Sequence, residues 1–165
     1  MPDSPRYDDD FFAWTQDQAR LLRTLPVSDN RLDREHLAEE IEDLGRSERD
    51  AVRSQIRRVV EHLLKLAGSP AQEPRYGRMA TIAEARVSLS DKLTSSLRRD
   101  AEAILPRLYS DGWRQAALGL RQHGEAEAAD RLPAQCPCTL DEICRQDWCP
   151  PAPDMSGSGS EPAGC

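Results

Sequence analysis

His62, Glu48 and Glu84 are the residues of this sequence best equipped for chemistry. An imidazole with carboxylates, Glu39 or Glu42 among them, could ligate Zn, Fe or Mn and activate a water for hydrolysis. Di-metal helical bundles repeat Glu-x-x-His on two helices. That repeat is absent: Glu39 and Glu42 stand three apart, but no His follows at the matching step. The same residues have a structural use. Glu48, Gln55 and His62 are seven apart and interrupt an apolar stripe, and Arg86 interrupts another. A polar group turned into a core must find partners. We read Glu48, Gln55, His62, Glu84 and Arg86 as a buried polar layer that fixes helix register, with no metal or cofactor assigned. A metal site of His62, Glu84 and Glu48 is the alternative.

The cysteines Cys136, Cys138, Cys144 and Cys149 read C-x-C-x5-C-x4-C. Structural zinc sites favour pairs two to four residues apart, so these are taken as scattered reduced thiols. No Gly-x-Ser-x-Gly elbow, Walker loop or Rossmann glycine pattern occurs. A net charge of −7 argues against a general nucleic-acid binder. No stretch approaches the ~20 apolar residues of a membrane span. The acidic start, MPDSPRYDDD, lacks the apolar run of a signal peptide. A cytoplasmic protein is expected.

The elements that must position these residues are helices. The central one runs from about residue 32 to 67, without Pro and with Gly45 as its only glycine. Leu37, Ile41, Leu44, Val52, Ile56, Val59, Leu63 and Leu66 recur at steps of mostly three or four, which gives one buried face. Asp33 is its expected N-cap and Gly68-Ser69-Pro70 its stop. Its first part is acidic and its second part carries Arg46, Arg49, Arg53, Arg57 and Arg58. An earlier helix, about 8–25, turns at residues 26–30 and returns antiparallel, which brings Trp14 or Tyr7 towards Glu48. After a loop at 68–77, a third helix spans about 78–94, with Met79, Ile82, Arg86, Leu89 and Leu93 on one face. A fourth, about 97–123, is kinked or divided by Pro106. A short helix at about 126–131 and a last turn capped by Thr139 with Glu142 follow. Residues 1–6 are expected to be loose, 7–150 a single domain, and 151–165 a disordered tail rich in Pro, Gly and Ser.

Taken together, YDDDFFAWTQDQARLLR, LDREHLAEEIEDLGRSER, HLLK, TIAEAR, CPCTLDEI and DWCP resemble the bacterial Domain of Unknown Function 29 family over residues 7–150. The family pattern contains the residues matching Glu48, His62, Thr81, Ile82, Glu84, Arg86 and Cys136. The chain departs from it at Leu66-Ala67 and Cys138, where aromatics are usual, and at Pro106. The resemblance implies an all-helical fold and supplies no activity. The expectation is therefore an all-α antiparallel helical bundle around the central helix. Its function is read as non-enzymatic, a protein–protein interaction module of unknown partner. The alternative is a metal-binding protein or metal-dependent hydrolase. The sorted charges of the central helix suit a homodimer that pairs its acidic and basic halves. No nucleic acid and no membrane are expected as partners.

Overall fold

A computed structural model of the chain describes residues 5–26, 31–151 and 153. Apart from Pro151 and Pro153, the expected disordered tail lies outside these residues, as do residues 1–4 and most of the expected turn at 26–30. The described residues are all helix and loop, with no strand. The helices are α1 (Phe11–Thr24), α2 (Arg34–Gly68), α3 (Glu73–Lys92), α4 (Ser95–Ala103), α5 (Leu105–Gln122), α6 (Ala126–Asp130) and α7 (Leu140–Cys144).

The central helix α2 is one uninterrupted element of 35 residues. Asp33 caps its start by accepting from the His36 N–H at 3.3 Å. At its other end, Arg75 donates to the Leu66 carbonyl and Arg78 to that of Lys65, each at 3.1 Å. These guanidinium groups sit where the helix leaves carbonyls unpaired and its dipole is negative. Helix α3 begins a turn earlier than the periodicity predicts, because Pro74 suits a first helical turn, where a missing N–H costs nothing. Pro106 divides the expected fourth helix. Ile104 leaves helical geometry and α5 starts with Pro106 in its first turn.

Helices α1 and α3 lie antiparallel along α2, and α5 crosses it on a further side. Val52, Ile56, Val59, Leu63 and Leu66 of α2 meet Ile82, Leu89, Leu97, Leu108, Leu120 and Ile143 in one core. Two contacts require glycine. A Cβ at Gly45 would stand 2.0 Å from Thr15 Oγ1, and one at Gly112 would stand 3.0 Å from the Arg57 carbonyl. A Cβ at Gly45 would strike the Thr15 side chain of α1, and one at Gly112 would press on the backbone of α2, so both helices pack closely on α2.

The first half of α2 corrects the predicted stripe. Ala38 and Gly45 are buried there, whereas Leu37 is 42% and Leu44 56% exposed. The small residues one place along take the contact with α1, because the short Thr15–Gly45 distance leaves no room for Leu. The stripe itself is real, but that end of it is uncovered.

Asp10 joins both ends of the chain's first half. It caps α1 by accepting from Ala13 N–H at 3.0 Å, and it accepts from the Ser96 N–H at 3.0 Å and the Ser96 hydroxyl at 2.6 Å. It is 9% exposed. Burial opposes its charge, but the hydrogen bonds from Ser96 and Ala13 outweigh that and hold the carboxyl below its ordinary 3.8. A depressed folded-state value means stability that is complete above the unfolded-state value and is lost as pH falls through the folded one. The difference in Tm between wild type and Asp10→Ala should therefore narrow as pH falls below about 4, as circular dichroism melts will show. Gly45→Ala should lower Tm even though Ala is the better helix former by about 1 kcal/mol, because overpacking costs about 1–3 kcal/mol. Adding Thr15→Ala should recover part of the loss.

Candidate functional site

The five residues expected in one polar layer are distributed over three places. Glu48 is half-buried and its partner is Lys92 at the end of α3, whose Nζ donates to both carboxylate oxygens at 3.0 Å. Neither Trp14 nor Tyr7 serves it. Those two rings pack on each other with centroids 4.9 Å apart, and Tyr7 packs on Phe11 at 5.3 Å. Lys92 escapes sequence reasoning because it falls in the last turn of α3, outside the stripe that singles out Arg86. Glu84 is exposed and Gln55 half-buried.

Arg86 is 1% exposed, as its place on an apolar stripe predicts, but its partners are different ones. Its Nε donates to the Ile143 carbonyl at 2.9 Å and its Nη1 to that of Trp148 at 2.7 Å. Helix α3 thus uses Arg86 to bind the last turn of α7 and the segment after it. Arg75 does the same further along, donating to the Pro150 carbonyl. Tyr109 of α5 donates to the Pro133 carbonyl at 2.7 Å, and burial pushes its hydroxyl pKa well above the ordinary value. Each partner is a backbone carbonyl, which no side-chain pattern marks.

His62 lies elsewhere, in a groove of about 610 Å³ between α2 and α5 that it shares with Ser54, Arg57, Arg58, Glu61, Asp111, Arg114 and Gln115. Burial pulls the imidazole pKa below its ordinary value, and the nearby Lys65, Arg58 and Arg78 act the same way against the opposing charge of Glu61. Its Nδ1 is buried and meets no partner among the described residues. Glu48, His62 and Glu84 do not converge. No group of three or more His, Cys, Asp or Glu side chains that could hold a metal occurs among the described residues. Cys136, Cys144 and Cys149 are free, and with Cys138 they lie half-buried against the core. Burial raises the thiol pKa values of Cys136 and Cys144, which disfavours the thiolate, the nucleophilic form.

The largest uncommitted feature is apolar. Helix α3 ends level with Glu48, so the first turns of α2 continue beyond it as an arm beside α1. Phe11, Trp14, Gln18 and Leu21 of α1, with Leu25 just past its end, follow steps of three and four, as do Leu37, Ile41 and Leu44 of α2. With angles measured from Thr15 and Gly45, where the helices touch, both strips turn to the same side of the hairpin. Arg23, paired with Glu35 at 3.2 Å and Glu42 at 2.8 Å, turns to the other side. On the apolar side Leu21, Leu25, Leu37 and Leu44 are exposed, and Phe11, Trp14 and Ile41 are half-buried. The spacing of Leu37, Ile41 and Leu44 revealed an apolar face but not that the fold leaves it open.

This geometry can be set beside known proteins. The model of the family described as Domain of unknown function DUF29 matches residues 6–149. The chain belongs to that family. A similar solved structure is an alpha-helical protein of unknown function from Rhodospirillum rubrum. It is 27% identical, covers 88% of this chain and 92% of its own, and superposes with a TM-score of 0.79. No curated protein matches the chain. The neighbour shares the all-helical fold, and neither it nor the family description assigns an activity. No helix among the described residues is long and apolar enough to cross a membrane.

Arg86 supplies a test of how the chain's end is held. Arg86→Met keeps much of the volume but strands two buried carbonyls, at a cost of about 1–3 kcal/mol each. The expected result is lower stability and faster amide hydrogen exchange over residues 140–150, with α1 and the first half of α2 unchanged.

Proposed function

We propose that this protein is a non-enzymatic helical interaction module, and that the arm of α1 and α2 docks a second copy of the chain. The observation that carries this reading is the apolar strip on one side of the arm, on both of its helices and interrupted on α1 by Gln18. Isolated apolar residues on a surface need no explanation, but a contiguous patch of them on a soluble chain marks an interaction site. A two-helix arm with one apolar side is half of a four-helix bundle. A second arm laid on it covers Leu21, Leu25, Leu37 and Leu44 with side chains of the same kind at the same spacing. In an isologous pair each copy offers the same patch. The arginines that follow Gly45 do not join this face: Arg46, Arg49 and Arg53 turn to the side away from the leucines and pair with Asp43, Asp50 and Asp100 within the chain. We place the protein in the cytoplasm, on the support of the free thiols of Cys136, Cys144 and Cys149. No catalytic residue is assigned.

Sedimentation and light scattering across the micromolar range test the pairing. Wild type should run as a dimer, and Leu21→Glu with Leu44→Glu should run as a monomer with an unchanged helical spectrum. These positions are exposed in the single chain, so the substitutions should cost it less than about 0.5 kcal/mol. A wild type that stays monomeric throughout the range would overturn the reading.

A further inference from the structure

We propose that the groove between α2 and α5 binds a phosphoryl-bearing small molecule, held by Arg57, Arg58 and Arg114 beside His62. This site is separate from the arm and does not depend on its pairing. The groove's volume of about 610 Å³ lies within the usual range for small-molecule clefts. The chain carries a net charge of −7, so a groove lined by three arginines is a local reversal of the protein's field.

The acids in the groove are already engaged. Glu61 pairs with Lys65, and Asp111 with Arg114 at 3.3 Å. Arg57 and Arg58 have no ion pair or hydrogen bond among the described residues, in contrast to Arg53 one turn earlier. Arg53 donates to both oxygens of Asp100 at 2.6 and 2.8 Å. A smaller hollow of about 280 Å³ shares Arg57 and Asp111 and adds Arg107. The unpaired cations thus gather along one seam.

Donor chemistry selects the ligand. One arginine fork satisfies a carboxylate, which has two oxygens in a plane. Two unpaired guanidinium groups, with the Ser54 hydroxyl on the same wall and the Gln115 amide on the facing one, offer donors from several directions, which suits the three oxygens of a phosphate monoester. Burial, with Lys65, Arg58 and Arg78 nearby, disfavours the protonated form of His62 against the opposing charge of Glu61, and a dianion beside it would favour that form.

Inorganic phosphate is the probe, titrated into the full chain against sodium chloride at equal ionic strength. The imidazole resonances of His36, His62 and His123 are followed by NMR. Saturable binding is expected, with the apparent pKa of His62 moving up and those of His36 and His123 staying in place. Arg57→Gln with Arg58→Gln, both exposed and free of partners, should weaken binding by at least roughly tenfold and abolish the His62 shift. Arg98→Gln, on α4 and away from the groove, should leave both unchanged. Three results would each overturn the proposal: no saturation beyond the chloride control, equal affinity in the double variant, or equal shifts at all three histidines.

Discussion

A guanidinium group with no carboxylate beside it holds this bundle closed. Arg86 is buried, and its charge is balanced by the carbonyls of Ile143 and Trp148. Ile143 lies in the last turn of α7, where the helix dipole adds negative potential. A carboxylate partner would have made a buried ion pair, whose desolvation often cancels its attraction. Carbonyl partners carry less desolvation cost and are present in any sequence. The segment from α7 to Pro150 contributes Ile143 to the core and Trp148 and Cys149 to its edge. Its position depends on α3 supplying donors at Arg75 and Arg86, one at each end of the stretch.

The second constraint is closeness. At Gly45 the Thr15 side chain, and at Gly112 the backbone of α2, stand where a methyl group would be. Such contacts fix helix placement without large side chains. They also explain the unusual division of labour along α2. Its second half buries Val, Ile and Leu against α3 and α5, while its first half buries Ala38 and Gly45 against α1 and leaves its leucines turned aside.

Much of the fold could be read from residues alone. The long helix, its Asp33 cap, the Thr139–Glu142 capping box and the break at Pro106 all follow local rules, and all are present. The candidate site was less legible. Periodicity correctly placed Arg86 inside and marked Glu48 and His62 as exceptions, but periodicity within one helix gives no partner on another. Glu48 finds Lys92 because α3 runs to the level of its turn, a matter of register between helices. Arg86 finds carbonyls, which carry no sequence signal. His62 faces the α2–α5 seam because α5 crosses on that side. The exposure of Leu37 and Leu44 depends on how closely α1 packs, and that is set by Thr15 and Gly45 together.

The unbroken course of α2 has a mechanical consequence. At 1.5 Å per residue its 35 residues make a rod about 52 Å long, and the same rod carries Leu37 and Leu44 near one end and Arg57, Arg58 and His62 near the other. No proline or loop intervenes to absorb a twist. The rod therefore holds the leucines and the arginines at one fixed spacing, about 20 Å from Leu44 to Arg57 along the axis, which keeps the two surfaces apart.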